Sequence, residues 1–234
     1  MALVAEHAAA VTKRPLLVGV TGPVAVGKTT FAAELAQRLL AAEFTVAVAT
    51  TDGFLRSNAE LDARGLTMRK GFPESFDGAR FARFLAAARS GASELRVPGY
   101  SHLTYDVTGG DDVVAAPRIL IVEGVNVLLP AHIGDLDLSI YIDADDEAVI
   151  GWFCGRLAQL CHAARDQPAS FFHPYSMLSP EEIDAFARGA WDAINAVNLE
   201  HHIRPTRDHA DVVVVKAGDH RVSRVEVRQS NEKV

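Results

Sequence analysis

Short continuous apolar runs alternate with longer amphipathic stretches along most of the chain. Leu16 to Val20, Phe44 to Thr50, Arg118 to Val122 and Leu138 to Ile142 are such runs, and Val212 to Val215 and Val222 to Val227 add two late ones. Apolar runs of this length, without polar alternation, predict strands covered on both faces. Between them, Phe31 to Ala42 carries Phe31, Leu35, Leu39 and Leu40 at helical spacing. Asp77 predicts an N-cap for a helix from Gly78 to about Arg89, with Phe81, Phe84 and Leu85 facing inward. Asp145 to Ala164 reads as a long helix. Ser179-Pro180-Glu181-Glu182 is a capping box with proline at the first helical position, opening a helix to about His201.

Strands alternating with helices predict an α/β fold: a doubly wound, mostly parallel sheet with helices on both faces. No repeat or linker interrupts residues 1–234, so one domain is expected, with residues 1–14 as an N-terminal arm or short helix. The stretches 53–76 and 91–117 are irregular. Connections of that length in such a fold predict lids or binding loops.

Composition narrows the class. The 234 residues are 49% hydrophobic and 23% charged, which predicts a globular protein. The net charge of −7 argues against a general nucleic-acid surface. No apolar run reaches membrane-spanning length. Met1 to Arg14 lacks the basic start and apolar core of a signal peptide, so a cytoplasmic protein is expected. Cys154 and Cys161 lie two turns apart on a helix, about 10 Å, too far for a disulfide. Buried, reduced thiols are expected.

The chemistry begins at Gly22-Pro23-Val24-Ala25-Val26-Gly27-Lys28-Thr29, a complete G-x-x-x-x-G-K-[ST] between a strand and a helix. In that context the loop amides and helix N-terminus cradle phosphate, Lys28 reaches the β- and γ-phosphates, and the Thr29 hydroxyl holds Mg²⁺. Asp52 and Glu123 fall just after other strands, where ligands of open α/β sheets sit. Phosphoryl transfer needs one carboxylate at the acceptor hydroxyl and one at Mg²⁺. The spacing alone does not say which is which. An acidic chain that binds a nucleotide must gather cations locally; Lys28, Arg64, Arg69, Lys70 and Arg156 are the candidates. Arg156 on its helix reads as a lid cation for the γ-phosphate. In Tyr100-Ser101-His102-Leu103-Thr104-Tyr105, the tyrosines beside His102 predict a pocket wall with polar tips.

These motifs resemble those of the bacterial P-loop pantothenate kinases, in the wider group of uridine kinase and phosphoribulokinase. The likeness is carried by Gly22 to Thr30, Thr51 to Leu55, Arg69-Lys70-Gly71-Phe72-Pro73-Glu74-Ser75-Phe76-Asp77, Tyr100 to Val107, Ile119 to Leu128 and Asp137 to Asp143. It continues through Phe172-His173, Asn195 to Leu199 and Pro205-Thr206-Arg207. It runs from about Leu16 to Val227. The resemblance implies a P-loop NTPase-like fold and phosphorylation of pantothenate to 4'-phosphopantothenate with ATP and Mg²⁺, the first step towards coenzyme A. It implies a homodimer.

By position, Asp52 resembles the residue that deprotonates the pantothenate hydroxyl, and Lys28 and Arg156 resemble the phosphate-stabilising cations. Tyr100, His102, Phe153 and Asn198 fall on the pantothenate pocket, Lys216 and His220 near the adenine site. The chain departs from the family at three places. About fifteen residues precede the first strand where the family has a longer region, so this reads as an N-terminally shortened member. Ala33 stands where an arginine binds coenzyme A. Leu157 and Leu160 replace aromatics of the acceptor and inhibitor pocket. The altered pocket wall leaves another acceptor open, such as a nucleoside or sugar-like alcohol. The shortened start alone supports a non-catalytic nucleotide-binding relative.

Overall fold

The computed structural model describes residues 1–228; residues 229–234, the end of the expected domain, lie outside the described residues. In chain order the elements are α1 (Ala2–Ala10), β1 (Leu16–Thr21), α2 (Lys28–Leu40), β2 (Val46–Thr50), α3 (Asn58–Ala63), α4 (Gly78–Arg89) and β3 (Glu94–Ser101). There follow β4 (Asp106–Ala115), β5 (Ile119–Glu123), β6 (Leu138–Ala144), α5 (Asp146–Ala163), α6 (Pro180–Ala190), β7 (Val212–Lys216) and β8 (Val222–Val227). The central sheet has the order β2-β5-β1-β6-β7-β8. Every pairing is parallel except β7 with β8. Each apolar run of the sequence is a strand of this sheet. Leu16, Leu17, Val18 and Val20 of β1 and Ile119 to Val122 of β5 are wholly enclosed.

The register of the first three strands sets the site. Val20 lies opposite Glu123, and Glu123 opposite Thr50. The carboxyl ends of β1, β5 and β2 are therefore level, and whatever follows each strand meets the others. Asp77 caps α4 as expected, its Oδ1 accepting from the Arg80 amide at 2.9 Å. Phe81, Phe84, Leu85 and Ala88 form the buried face of α4. Phe54, next to Asp52-Gly53, is fully buried against Phe81 and Phe84, with ring centroids 5.0 and 5.2 Å away. Burial of a ring this complete contributes about 2–3 kcal/mol and fixes the turn that carries Asp52.

Several boundaries differ from expectation. The first sheet helix begins at Lys28 rather than Phe31, and its inner face is Lys28, Ala32, Leu35, Ala36 and Leu39. Leu40, expected inside, is exposed, because the buried stripe of a 3.6-residue helix has rotated past it. Cys161 is buried but Cys154 is only half-buried; both are free thiols. The stretch 91–117 is an antiparallel hairpin, β3 with β4, standing apart from the main sheet. Its strands leave no alternating pattern in the sequence, because β4 is mostly exposed and contains Gly109-Gly110-Asp111-Asp112. The stretch 53–76 is closed at its base by a bridge between Leu55 and Phe76, and holds α3, capped reciprocally by Ser57 and Glu60. After α6 the helix continues, but through π turns at Trp191–Asn195 and Leu199–Ile203 with a single α segment, Ala196–Asn198, between them. The N-terminal arm is a helix, α1, held at its end by the Arg118 guanidinium, which donates to the Ala8 and Val11 carbonyls. No helix among the described residues is long and apolar enough to cross a membrane.

Candidate active site

The loop after β1 winds tightly. Gly22 lies against the backbone of β6; a Cβ there would fall 2.2 Å from the Ile142 carbonyl oxygen. Ala25 and Gly27 take positive φ, 64° and 89°, and Gly27 is the N-cap of α2. This winding turns successive amides inward, the form of an anion nest. Lys28, in the first turn of α2, is buried, and its Nζ donates to the carbonyls of Gly22 and Pro23 at 3.1 and 2.8 Å. Burial pushes its pKa down to about 8, opposed by Glu123 and Asp52 and reinforced by Arg156 and Lys216. The far end of the loop is tied to β7, where Lys216 Nζ donates to the Val26 carbonyl at 2.9 Å. Val24 and Ala25 are half-buried along the loop, while Thr29 and Thr30 are exposed at the helix start.

Glu123 ends β5 and is buried. It accepts from the Thr29 hydroxyl at 3.1 Å. Burial pushes its carboxyl upward, against the pull of Lys28. Asp52 lies in the 3₁₀ turn Thr51–Phe54 beyond β2, its amide donating to the Thr50 hydroxyl at 3.3 Å. Two glycines permit this convergence. A Cβ on Gly124 would lie 1.7 Å from Thr51 Oγ1, so the β5 and β2 loops approach only because it has none. A Cβ on Gly53 would lie 1.9 Å from the Pro98 carbonyl, so the β3–β4 hairpin passes directly over the Asp52 turn.

That hairpin brings the aromatic residues. The Tyr100 ring sits 5.2 Å from His102 and 6.1 Å from Tyr105, and Tyr105, at φ 55°, packs on Phe171 and Phe172. Burial holds both tyrosine hydroxyls protonated, and the charges of Asp52 and Arg156 act on both. Phe153 packs on Trp191 at 5.6 Å. Asn198 is buried between the two π turns, its Nδ2 donating to the Gly71 carbonyl at 3.0 Å. Leu157 and Leu160 belong to a separate apolar cluster with Phe172 and Ile183, against which Tyr105 and Phe153 also pack.

Lys28, Thr29, Glu123, Asp52, Arg156, Tyr100 and Tyr105 are thus within electrostatic or direct reach of one another. His220 takes a different place, in the β7–β8 turn, stacked on Trp152 at 4.0 Å. Of the other candidate cations, Arg69 is paired with Glu74 and lies over the Phe72 ring, and Arg64 is exposed at the end of α3. Lys70, the remaining candidate cation, sits among the aromatic residues of the hairpin. Its Nζ donates to Asn58 Oδ1 at 2.6 Å and to the Tyr105 carbonyl, and it lies 5.5 and 4.8 Å from the Tyr100 and Tyr105 ring centroids. Burial lowers its pKa, opposed by Asp106 and Asp52. In the sequence it is marked both as one of the locally gathered cations and by its place in Arg69-Lys70-Gly71-Phe72-Pro73.

The residues fit a nucleotide's phosphates and Mg²⁺. A loop that wraps a buried lysine and a hydroxyl bonded to a buried carboxylate offers donors to an anion and two oxygens to a hard cation. Among the described residues no cluster of three or more His, Cys, Asp or Glu could hold a metal by itself.

A sequence model of the phosphoribulokinase / uridine kinase family matches residues 17–156. A pantothenate kinase of Clavibacter sepedonicus is 48% identical over 92% of this chain and 70% of its own length. A pantothenate kinase of Shewanella denitrificans is 42% identical over 93% of this chain and 74% of its own. Among solved structures, a protein of Silicibacter sp. TM1040 described as a candidate fructose transport system kinase superposes with a TM-score of 0.69. It is 26% identical and covers 87% of this chain and 96% of that one. With a phosphate loop, two strand-end carboxylates and an α/β sheet in place, the chain belongs to the phosphoribulokinase / uridine kinase family, among its bacterial pantothenate kinases.

Proposed function

We propose that this protein transfers the γ-phosphoryl group of ATP to the hydroxyl of pantothenate, giving 4'-phosphopantothenate and ADP. The observation that carries the reading is the level ending of β1, β5 and β2. It sets Lys28, Thr29–Glu123 and Asp52 side by side, beneath a hairpin of aromatic residues. The Clavibacter and Shewanella relatives supply the acceptor's name.

Asp52 takes the proton of the acceptor hydroxyl as its oxygen bonds to the γ-phosphorus and the bond to the β-phosphate oxygen breaks. Lys28 and Arg156 neutralise charge on the transferring group. Mg²⁺, held by the Thr29 hydroxyl and Glu123, would screen the β- and γ-phosphates. The phosphates rest on residues 22–30, with Lys216 and His220 at the base end. Tyr100, His102, Tyr105, Phe153 and Asn198 line the acceptor. Both buried phenols stay protonated and serve as donors.

Steady-state ATP consumption with a panel of alcohols tests the assignment. Turnover with pantothenate is expected to exceed that with nucleosides and sugar-like alcohols by at least about 10² in kcat/KM. Turnover confined to another alcohol would remove pantothenate and leave the kinase.

The Lys28 ammonium gives a pH signature. With the free-enzyme pKa lowered to about 8, the charged form that binds phosphate is fully present below that pH and lost above it. kcat/KM for ATP should hold steady up to about pH 8 and fall beyond, as a free-enzyme ionisation. kcat should persist to higher pH, because bound phosphates favour the charged lysine. A flat kcat/KM profile through pH 9 would remove Lys28 as the group that titrates.

A further inference from the structure

The backbone carbonyl of Gly71 receives two side-chain amides. Asn126 Nδ2 donates to it at 3.1 Å and Asn198 Nδ2 at 3.0 Å. Both residues are buried, 5% and 6% exposed, and the Oδ1 of each is enclosed without a hydrogen-bond partner. Only an NH₂ group can face a carbonyl oxygen, so the amide orientations are settled by chemistry and both Oδ1 atoms are turned away from Gly71. A carbonyl oxygen has two lone pairs, and here both are used.

The three partners come from three parts of the chain. Asn126 lies in the loop that follows Glu123. Gly71 follows Lys70 and is held by its own amide donating to Ser75 Oγ at 3.0 Å. Asn198 lies between two π turns, which displace a helix from its regular register and commonly mark functional positions. Gly71 has φ 94°, a conformation open to glycine, so its peptide plane is soft unless held from outside. One amide leaves that plane free to rotate about the bond; two fix it.

We propose that Asn126 is a positioning residue of the acceptor site. By sharing the Gly71 carbonyl it fixes the amide of Asn198, whose Oδ1 then accepts from a hydroxyl or amide N–H of the acceptor. This rests on the reading of the site as a pantothenate site. An enclosed carbonyl oxygen without a donor is unfavourable in the free protein, and an acceptor that carries both hydroxyls and an amide relieves it. Asn126 acts through Asn198, and does not touch the reacting atoms.

The test is a double-mutant cycle on the full chain, read as KM for pantothenate, KM for ATP and kcat. Asn126→Ala should raise the pantothenate KM about five- to tenfold, the range of one neutral hydrogen bond. kcat and the ATP KM should stay within about twofold. In an Asn198→Ala background the same substitution should change the pantothenate KM by less than about twofold, since its target is gone. Asn126→Asp, which keeps the shape and removes the donor, serves if the alanine variant folds poorly, and should give the same split. Additive effects of the two substitutions would overturn the proposal, as would a lowered Tm with unchanged pantothenate KM. A wild-type enzyme inactive on pantothenate but active on another alcohol would overturn the acceptor reading and this assignment with it. An active wild type with an unaltered Asn126→Ala variant would overturn this assignment alone.

Discussion

Asp52→Ala is expected to lower kcat with pantothenate by about 10²–10⁴, the usual contribution of a positioned general base, while the KM for ATP stays within about twofold. The split follows from where Asp52 stands. It is held beyond β2 by the buried Phe54 ring and lies under the β3–β4 hairpin, the proposed acceptor side of the loop. Thr29, on the nucleotide side, is bonded to Glu123 instead. On the proposed reading, Asp52 contributes its charge mainly to the step in which the acceptor hydroxyl loses its proton. Stopped-flow or coupled assays at saturating ATP, with nucleotide affinity measured separately by calorimetry, separate the two effects. Turnover unchanged in Asp52→Ala would transfer the base role to Glu123. A raised ATP KM with unchanged kcat would place Asp52 on the nucleotide.

The phosphate-loop half of the proposed site was legible from the chain and the rest only in part, for a physical reason. Phosphate binding is done by backbone, so it demands a contiguous motif: Gly22 and Gly27 for close approach, Lys28 and Thr29 at the helix start. The buried strands were legible for a similar reason, since a strand covered on both faces is apolar at every position. The proposed acceptor side is assembled from side chains far apart in sequence. Gly71, Asn126 and Asn198 meet at one carbonyl, and no periodicity announces that meeting. The hairpin was missed because a two-stranded ribbon outside the main sheet has little buried surface to write an alternating pattern. The helix after Ser179 was legible as a helix. Its π turns at Trp191–Asn195 and Leu199–Ile203 were not, since no residue type or spacing in the sequence marks them.

Lys28→Met is expected to reduce kcat/KM by about 10²–10³, the scale of removing one charge-stabilising donor from a transition state. It should do so without lowering Tm at pH 7. The two halves of this prediction have one cause. In the free protein the Lys28 ammonium is buried, satisfied by two carbonyls of its own loop, and its pKa is depressed to about 8. A drop of this size corresponds to about 3 kcal/mol against the charged form. Methionine keeps the length and apolar stem and removes that burden, against which the buried carbonyls of Gly22 and Pro23 lose their donor at about 1–2 kcal/mol each. The pH dependence fixes the attribution. Between pH 8 and 10.5 the unfolded chain holds a proton on Lys28 that the folded chain has released, so wild-type stability rises across that window relative to the variant. The variant's advantage in Tm should thus be greatest below pH 8 and shrink towards pH 10. A variant that is less stable at pH 7, with a Tm difference independent of pH, would show that Lys28 holds the loop together rather than being held there, in strain, for the phosphate.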